Sequence, residues 1–79
     1  MQLDIITPEK KLYSGQAKSV TLPGSMGVFQ VLNNHAPIIS TLKKGTVKVK
    51  HEGGEDSFAI GGGVAEVLNN TLTILAEAV

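Results

Sequence analysis

The side chains best suited to chemistry in this sequence are its two histidines, His35 and His51. An imidazole is a common general base and metal ligand. The chain has no cysteine, however, and the two histidines are not spaced to bind one ion from a single element. We expect His51 to lie at a solvated strand end. His35 stands in a constrained corner before Ala36 and Pro37, and we expect it either to bond to loop backbone or to contact a partner.

Three consecutive glycines, Gly61, Gly62 and Gly63, are the second feature that could bind a ligand, in this case a phosphate. A P-loop ends in Gly-Lys-Ser/Thr before a helix, and a dinucleotide loop spaces its glycines to open a helix. Neither pattern is present. The triplet therefore predicts a β-bulge or a close approach of two backbones, where a side chain would clash.

The sequence also lacks the arrangements that activate a serine or pair two carboxylates for acid–base work. Ser25 lies between Gly24 and Gly27, which is not the Gly-x-Ser-x-Gly spacing of a nucleophile elbow. The 7 carboxylates are scattered along the chain. We therefore predict a non-catalytic protein that uses no metal and no cofactor.

Composition limits the partners. The 79 residues predict one domain, residues 1–79, with a formal net charge of zero. The lysines are scattered and there are only three aromatic residues, so nucleic acid is not expected as a partner. No apolar run approaches the roughly 20 residues that span a bilayer, and the first residues do not resemble a signal peptide. Membrane contact is thus expected only through partners.

Turn residues separate short apolar or alternating runs along the whole chain. The clearest alternation places Val47 and Val49 inward and Lys48 and Lys50 outward. No segment has a convincing helical period, so we predict an all-β sandwich or barrel. The predicted strands are residues 2–7, 11–13, 17–22, 28–32, 38–42, 46–50, 57–60, 64–68 and 71–76.

Residues 22–39 carry an unusual density of turn residues around one short strand. Pro23 is expected to close the preceding strand, and Gly24 and Gly27 to reverse the chain. Strand alternation leaves two arrangements open. Either Phe29 and Val31 point into the core with Met26 capping it, or Met26 and Val28 form an exposed apolar tip. An apolar tip without catalytic residues favours docking to a protein over chemistry.

The same stretch, LPGSMGVFQVLNNHAPII, resembles the signature region of the epsilon subunit of F-type ATP synthases, in its N-terminal domain. Three further segments support the resemblance: LDIITPEKKLYSG, LKKGTVKV and FAIGGGVAEVLNNTLTILAE. Together the four blocks cover nearly the whole chain in the family's order.

The resemblance implies a flattened β-sandwich of about ten strands in a non-catalytic rotor subunit. Such a subunit binds gamma and the c-ring, and through them the alpha/beta head, and helps couple proton or ion flow to ATP synthesis. It implies a peripheral location on the cytoplasmic face of a bacterial plasma membrane, or the equivalent organelle face. Typical members continue into a C-terminal helical hairpin; residues 1–79 end after the last predicted strand, so neither inhibition nor ATP binding is expected of them.

The resemblance also assigns site residues. It places Met26, Gly27 and Val28 near the c-ring, and His35, Ala36 and Pro37 near gamma or the ring. Many relatives carry an acidic residue at the tip of this loop. Met26 and Val28 replace it here, which predicts a more apolar contact.

Two other functions remain open on the residues alone. A lipoyl or biotinyl carrier displays a lysine on a hairpin tip, and Lys43-Lys44 before Gly45 occupies a predicted turn. The Met-Lys-Met or Asp-Lys-Ala context of such carriers is absent. The second alternative is an adaptor domain that binds partners unrelated to an ATPase.

Overall fold

The computed structural model describes all of residues 1–79 and consists of β-strands joined by short turns. No helix in it is long and apolar enough to cross a membrane. The all-β prediction is confirmed, with nine strands where about ten were expected. The strands are β1 (Gln2–Ile6), β2 (Lys11–Gln16), β3 (Ser19–Gly24), β4 (Gly27–Leu32), β5 (Ile38–Leu42), β6 (Gly45–His51), β7 (Gly54–Ile60), β8 (Gly62–Leu68) and β9 (Thr71–Glu77).

The strands follow one another in space in the order β2-β1-β9-β8-β5-β3-β6-β7, with β4 on the side of β3. All pairs are antiparallel except β1 with β9. The two ends of this order approach each other. Tyr13 on β2 lies 6.1 Å from the ring of His51 on β6 and 6.0 Å from that of Phe58 on β7, measured between ring centres. The sheet therefore curls into a barrel-like sandwich.

One apolar core fills the sandwich, and period-2 alternation selects its members. Val47 and Val49 are fully buried while Lys48 is exposed, as predicted for β6. The largest fully buried side chains come from strands throughout the chain: Leu3, Ile5, Leu22, Ile60, Leu72 and Ile74. Burying such side chains stabilises the fold by roughly 1.5–3 kcal/mol each.

Pro23 does not close β3, contrary to the sequence prediction. The strand continues to Gly24, and Pro23 is paired with Val28 of β4. The Pro23 carbonyl accepts a hydrogen bond from the Lys43 backbone N–H at 2.9 Å, on the side away from β4. The N–H and C=O of one residue point to the same side of an antiparallel strand. The donor that proline lacks is therefore not one that the β3–β4 ladder uses.

The glycine triplet begins β8 and lies against the end of the chain. A Cβ on Gly61 would lie 2.6 Å from the carbonyl oxygen of Ala78. A Cβ on Gly63 would overlap the carbonyl oxygen of Leu75. Gly63 also has a φ of +151°. The predicted close approach of two backbones is confirmed, and the triplet shapes the sheet.

Candidate docking site

The turn between β3 and β4 forms a tight, projecting tip. Gly24 and Gly27 are paired, so only Ser25 and Met26 make the reversal. A Cβ on Gly24 would lie 2.5 Å from the Gly27 carbonyl oxygen, and Gly27 has a φ of +131° that favours glycine. The Ser25 N–H donates to the Thr41 carbonyl at 2.9 Å. These constraints give the tip one backbone path.

Apolar side chains project from this tip. Met26 is completely exposed and Val28 is 71% exposed, whereas Phe29 packs against the core and Val31 is fully buried. Of the two arrangements left open by the sequence, the structure has the exposed tip, and Met26 does not cap the core. No charged residue occurs among residues 22–32. The tip can therefore make apolar contacts but no ion pair.

The corner that contains His35 is held by its own backbone. The His35 N–H donates to the Leu32 carbonyl at 3.2 Å, and the ring Nδ1 lies 2.7 Å from the Ala36 carbonyl oxygen. A carbonyl oxygen only accepts, so Nδ1 carries the proton and Nε2 of the neutral ring is an acceptor. Nε2 has no partner within the chain. Backbone bonding by His35 is thus confirmed, and Nε2 is left without a partner in the chain.

The side chains of Asn33 and Asn70 join the corner to distant parts of the chain. Neither was among the site residues predicted from the sequence. The Asn34 N–H donates to Oδ1 of Asn70 at 2.7 Å, and the backbone nitrogen of Met1 donates to Oδ1 of Asn33. Asn70 lies in the β8–β9 turn, where both Asn69 and Asn70 have a positive φ, a conformation that asparagine adopts more readily than most residues. The corner is therefore positioned by contacts with distant parts of the chain.

A shallow apolar depression of about 390 Å³ begins at this corner. Within it, Ile39 is 75% exposed and Leu68 is 49% exposed. Neither side chain was among the site residues predicted from the sequence. The signal was available in Pro37-Ile38-Ile39, because successive strand residues point to opposite faces and only one isoleucine can be buried. The lining residues are Pro37, Ile38, Ile39, Glu66, Val67 and Leu68.

A second, separate apolar row lies on the outer face of β8, β9 and β1. Leu75 is paired with Val64 on one side and with Ile6 on the other, which gives a row across three strands. Leu75 is 56% exposed and Val64 is 39% exposed. This row is therefore apolar and has no covering layer, whereas the next row on the same face, Asp4, Thr73 and Glu66, is polar.

The predicted site residues fall into two groups and not one patch. Met26, Gly27 and Val28 lie at the start of β4, whereas His35, Ala36 and Pro37 lie beyond its end. Five residue steps at about 3.3 Å separate the ends of β4, or roughly 17 Å. A partner that contacts both groups must be broad, or two partners must bind.

Lys43 and Lys44 do not occupy a hairpin tip. They connect β5 to β6, and these strands pair with other neighbours and not with each other. The next residue, Gly45, packs against Pro23, and a Cβ on Gly45 would lie 2.7 Å from the proline ring. This geometry differs from the hairpin display that a carrier lysine requires.

His51 is half-buried, contrary to the solvated strand end that was expected. Its ring bonds to Asp56 and to the backbone of Gly53 and packs beside Tyr13. No group of three acidic, histidine or cysteine side chains in the chain is arranged to hold a metal ion. His51 therefore belongs to the closure of the sandwich and not to a separate site.

Residues 1–79 match the family described as "ATP synthase, Delta/Epsilon chain, beta-sandwich domain" over their full length. Three relatives named "ATP synthase epsilon chain" are similar to the chain. Identity is 46% over 78 residues with that of Chlorobaculum tepidum, covering 98% of this chain and 89% of the relative. It is 44% over 79 residues for Chlorobium limicola, covering 99% and 90%. Identity is 41% over 78 residues with the relative from Bordetella petrii, covering 98% of this chain and only 55% of that relative.

Two solved structures have a similar fold. The first is the central stalk and c-ring of the Tetrahymena thermophila mitochondrial ATP synthase, with a TM-score of 0.83, 18% identity and coverage of 96% of this chain and 62% of the other. The second is the OSCP/F1/c-ring assembly of the Euglena gracilis enzyme, with a TM-score of 0.87, 25% identity and coverage of 94% and 48%. The first supports the fold alone, and both matched chains are substantially longer than this one.

Proposed function

Because the chain belongs to the ATP synthase delta/epsilon chain β-sandwich family, we propose that it is a non-catalytic subunit of the central stalk of an F-type ATP synthase. In this role it binds gamma and the c-ring, and through them the alpha/beta head, and helps couple proton or ion flow to ATP synthesis. Its similarity to epsilon chains from three bacteria supports the proposal. Its attachment to the membrane would come through these partners, on the cytoplasmic face in a bacterium or the equivalent face in an organelle.

The exposed tip is the observation that carries this proposal. Met26 and Val28 expose apolar side chains beside Gly27, and the contact of apolar surface with water costs free energy. A covering partner would remove that cost. We assign these three residues to the c-ring contact, and the absence of charged residues from the tip itself, residues 22–32, favours an apolar contact.

The corner and its depression form the second contact of the proposal. His35 presents an unpaired acceptor, and Ala36 and Pro37 lead into the apolar depression with Ile39 and Leu68. An apolar groove with one polar group at its rim is a common form of protein interface. We assign this region to gamma, or to the neighbouring part of the ring.

The fold is mechanically suited to a rotor. The tip is bonded to β5 through Ser25 and Thr41, and the corner to the β8–β9 turn through Asn34 and Asn70. Both contact regions are therefore anchored to the sandwich and not on long loops. Torque is transmitted only by parts that resist local opening, and short, backbone-bonded segments resist it well.

The test is a double charge substitution at the tip, Met26→Asp with Val28→Asp. Both side chains are exposed, so the variant should fold, but two carboxylates would have to be desolvated at an apolar contact. We expect weaker assembly with the c-ring and lower ion-driven ATP synthesis. The matched control is Thr46→Asp with Ser57→Asp, also two exposed strand residues. Unchanged coupling in the tip variant, or an equal loss in the control, would contradict the assignment.

A further inference from the structure

The only sulfur atoms in the chain belong to its two methionines, since it has no cysteine. Met1 is 5% exposed and lies in the apolar core, whereas Met26 is completely exposed at the tip between β3 and β4. An oxidant must reach a thioether sulfur before it can react with it. The fold therefore shields one methionine from oxidants in water and presents the other to them.

The tip holds the Met26 side chain in contact with water. Only Ser25 and Met26 lie between the paired residues Gly24 and Gly27. The Ser25 N–H donates to the Thr41 carbonyl at 2.9 Å, which fixes the turn to β5. With the backbone fixed in this way, a polar atom added to the Met26 side chain stays at the surface that the tip presents to a partner.

We propose that Met26 is a site of oxidation by peroxides, and that its oxidation weakens the contact made by the tip. In the reaction with hydrogen peroxide, the thioether sulfur attacks one peroxide oxygen. The S–O bond forms as the O–O bond breaks, and the sulfur loses two electrons to the second oxygen. That oxygen leaves as hydroxide, takes the proton of the first oxygen and becomes water. The product is methionine sulfoxide, a polar side chain in place of an apolar one.

The effect on the contact rests on the proposed function, in which Met26 and Val28 meet the c-ring. No residue among 22–32 is charged, so the tip makes an apolar contact. A sulfoxide oxygen accepts hydrogen bonds from water and loses them when the contact closes, which costs free energy if the partner surface supplies no donor. Oxidation thus weakens the binding of the tip. A bound ring in turn covers Met26, so the free subunit is the form that reacts.

Peptide mass spectrometry of the folded chain, sampled over time in hydrogen peroxide, tests the oxidation site. We expect Met26 to be oxidised at least about tenfold faster than Met1, because only its sulfur is accessible. In urea that unfolds the chain, the difference should disappear. Equal rates in the folded chain, or a difference that survives unfolding, would overturn the assignment of the site. This test uses no other subunit and is independent of the proposed function.

The weaker contact is tested by binding to a detergent-solubilised complex of gamma and the c-ring. The chain oxidised at Met26 should bind at least about fivefold more weakly than the untreated chain. Met26→Leu is the matched control, since leucine has no sulfur, and its affinity should be the same before and after peroxide. Unchanged binding of the oxidised chain, or an equal loss in Met26→Leu, would overturn the effect. An untreated chain that does not bind the complex would overturn the proposed function and this effect together, but not the oxidation site.

Discussion

His51 and Asp56 are joined across the β6–β7 hairpin, with 2.8 Å between Nε2 of the imidazole and Oδ2 of the carboxylate. The Gly53 N–H donates to Nδ1 of the same ring at 3.1 Å. Since Nδ1 accepts, the neutral ring carries its proton on Nε2 and donates it to Asp56. The ring thus ties the turn to the returning strand while it packs beside Tyr13.

The two residues should contribute unequally to stability. The Asp56 side chain is 53% exposed and that of His51 is 23% exposed, so water weakens the hydrogen bond between them but not the packing of the ring. We expect Asp56→Asn to lower the free energy of unfolding by less than about 0.5 kcal/mol. His51→Ala, which also loses the Gly53 bond and the contact with Tyr13, should lower it by about 1–2 kcal/mol. Urea denaturation measures both, and equal losses would contradict this division.

A methyl group at Gly63 should be severely destabilising. It would overlap the Leu75 carbonyl, and the positive φ at this position disfavours any side chain. We expect Gly63→Ala to lower the free energy of unfolding by at least about 2 kcal/mol. Gly15→Ala is the matched control, because its Cβ would make only ordinary contacts from 3.7 Å. If Gly15→Ala lowered the free energy of unfolding as much as Gly63→Ala, close packing at Gly63 would not be the cause of the destabilisation.

Asn70 should hold the His35 corner without being needed for its own turn. Its φ of +56° suits glycine, so Asn70→Gly keeps the β8–β9 turn but removes the side-chain acceptor for the Asn34 N–H. We expect the Asn34 amide to exchange with solvent faster while the strand amides keep their protection. Asn69→Gly, which also keeps a positive φ, is the control. Unchanged exchange at Asn34 would show that other contacts position the corner.

Asp4 should make stability depend on pH in the acidic range. The Ser14 hydroxyl donates to its Oδ1 at 2.7 Å and lowers the pKa of Asp4; burial opposes this, and the Lys11 ammonium at 3.8 Å adds to it. A folded-state pKa below the unfolded value gives stability that is present above the unfolded pKa, about 3.9, and lost as pH falls through the folded pKa. Ser14→Ala should reduce this loss in urea titrations from about pH 5 to pH 3. An unchanged profile would remove Ser14 as the main cause.

Strand positions and core membership could be predicted from the sequence because they depend on local alternation and turn residues. Val47, Val49 and the Asn69-Asn70 turn are examples in which residue type alone decides the outcome. Pro23 was misjudged because a proline is harmless in a strand when its missing donor faces away from the ladder, and that depends on which strand lies on each side. Neighbours in space cannot be read from one strand's sequence.

The candidate site was predictable in part. The apolar tip was one of two arrangements left open; Phe29 and Val31 point inward as in the other arrangement, and the full exposure of Met26 decides between the two. The depression beside Pro37 combines β5 with β8, which are distant in sequence, so Leu68 gave no local sign of its role. The His51 contacts were missed for the same reason, since Tyr13 reaches that ring only when the sandwich closes.

The central claim is that this chain is a stalk subunit of an ATP synthase, and co-purification tests it most directly. The chain would be tagged in its native organism, the membranes solubilised gently, and the recovered proteins identified by mass spectrometry. We predict recovery of gamma, the alpha/beta head and the c-subunit, with less c-subunit in the Met26→Asp, Val28→Asp variant. Recovery of none of these proteins with the unmodified chain would contradict the assignment.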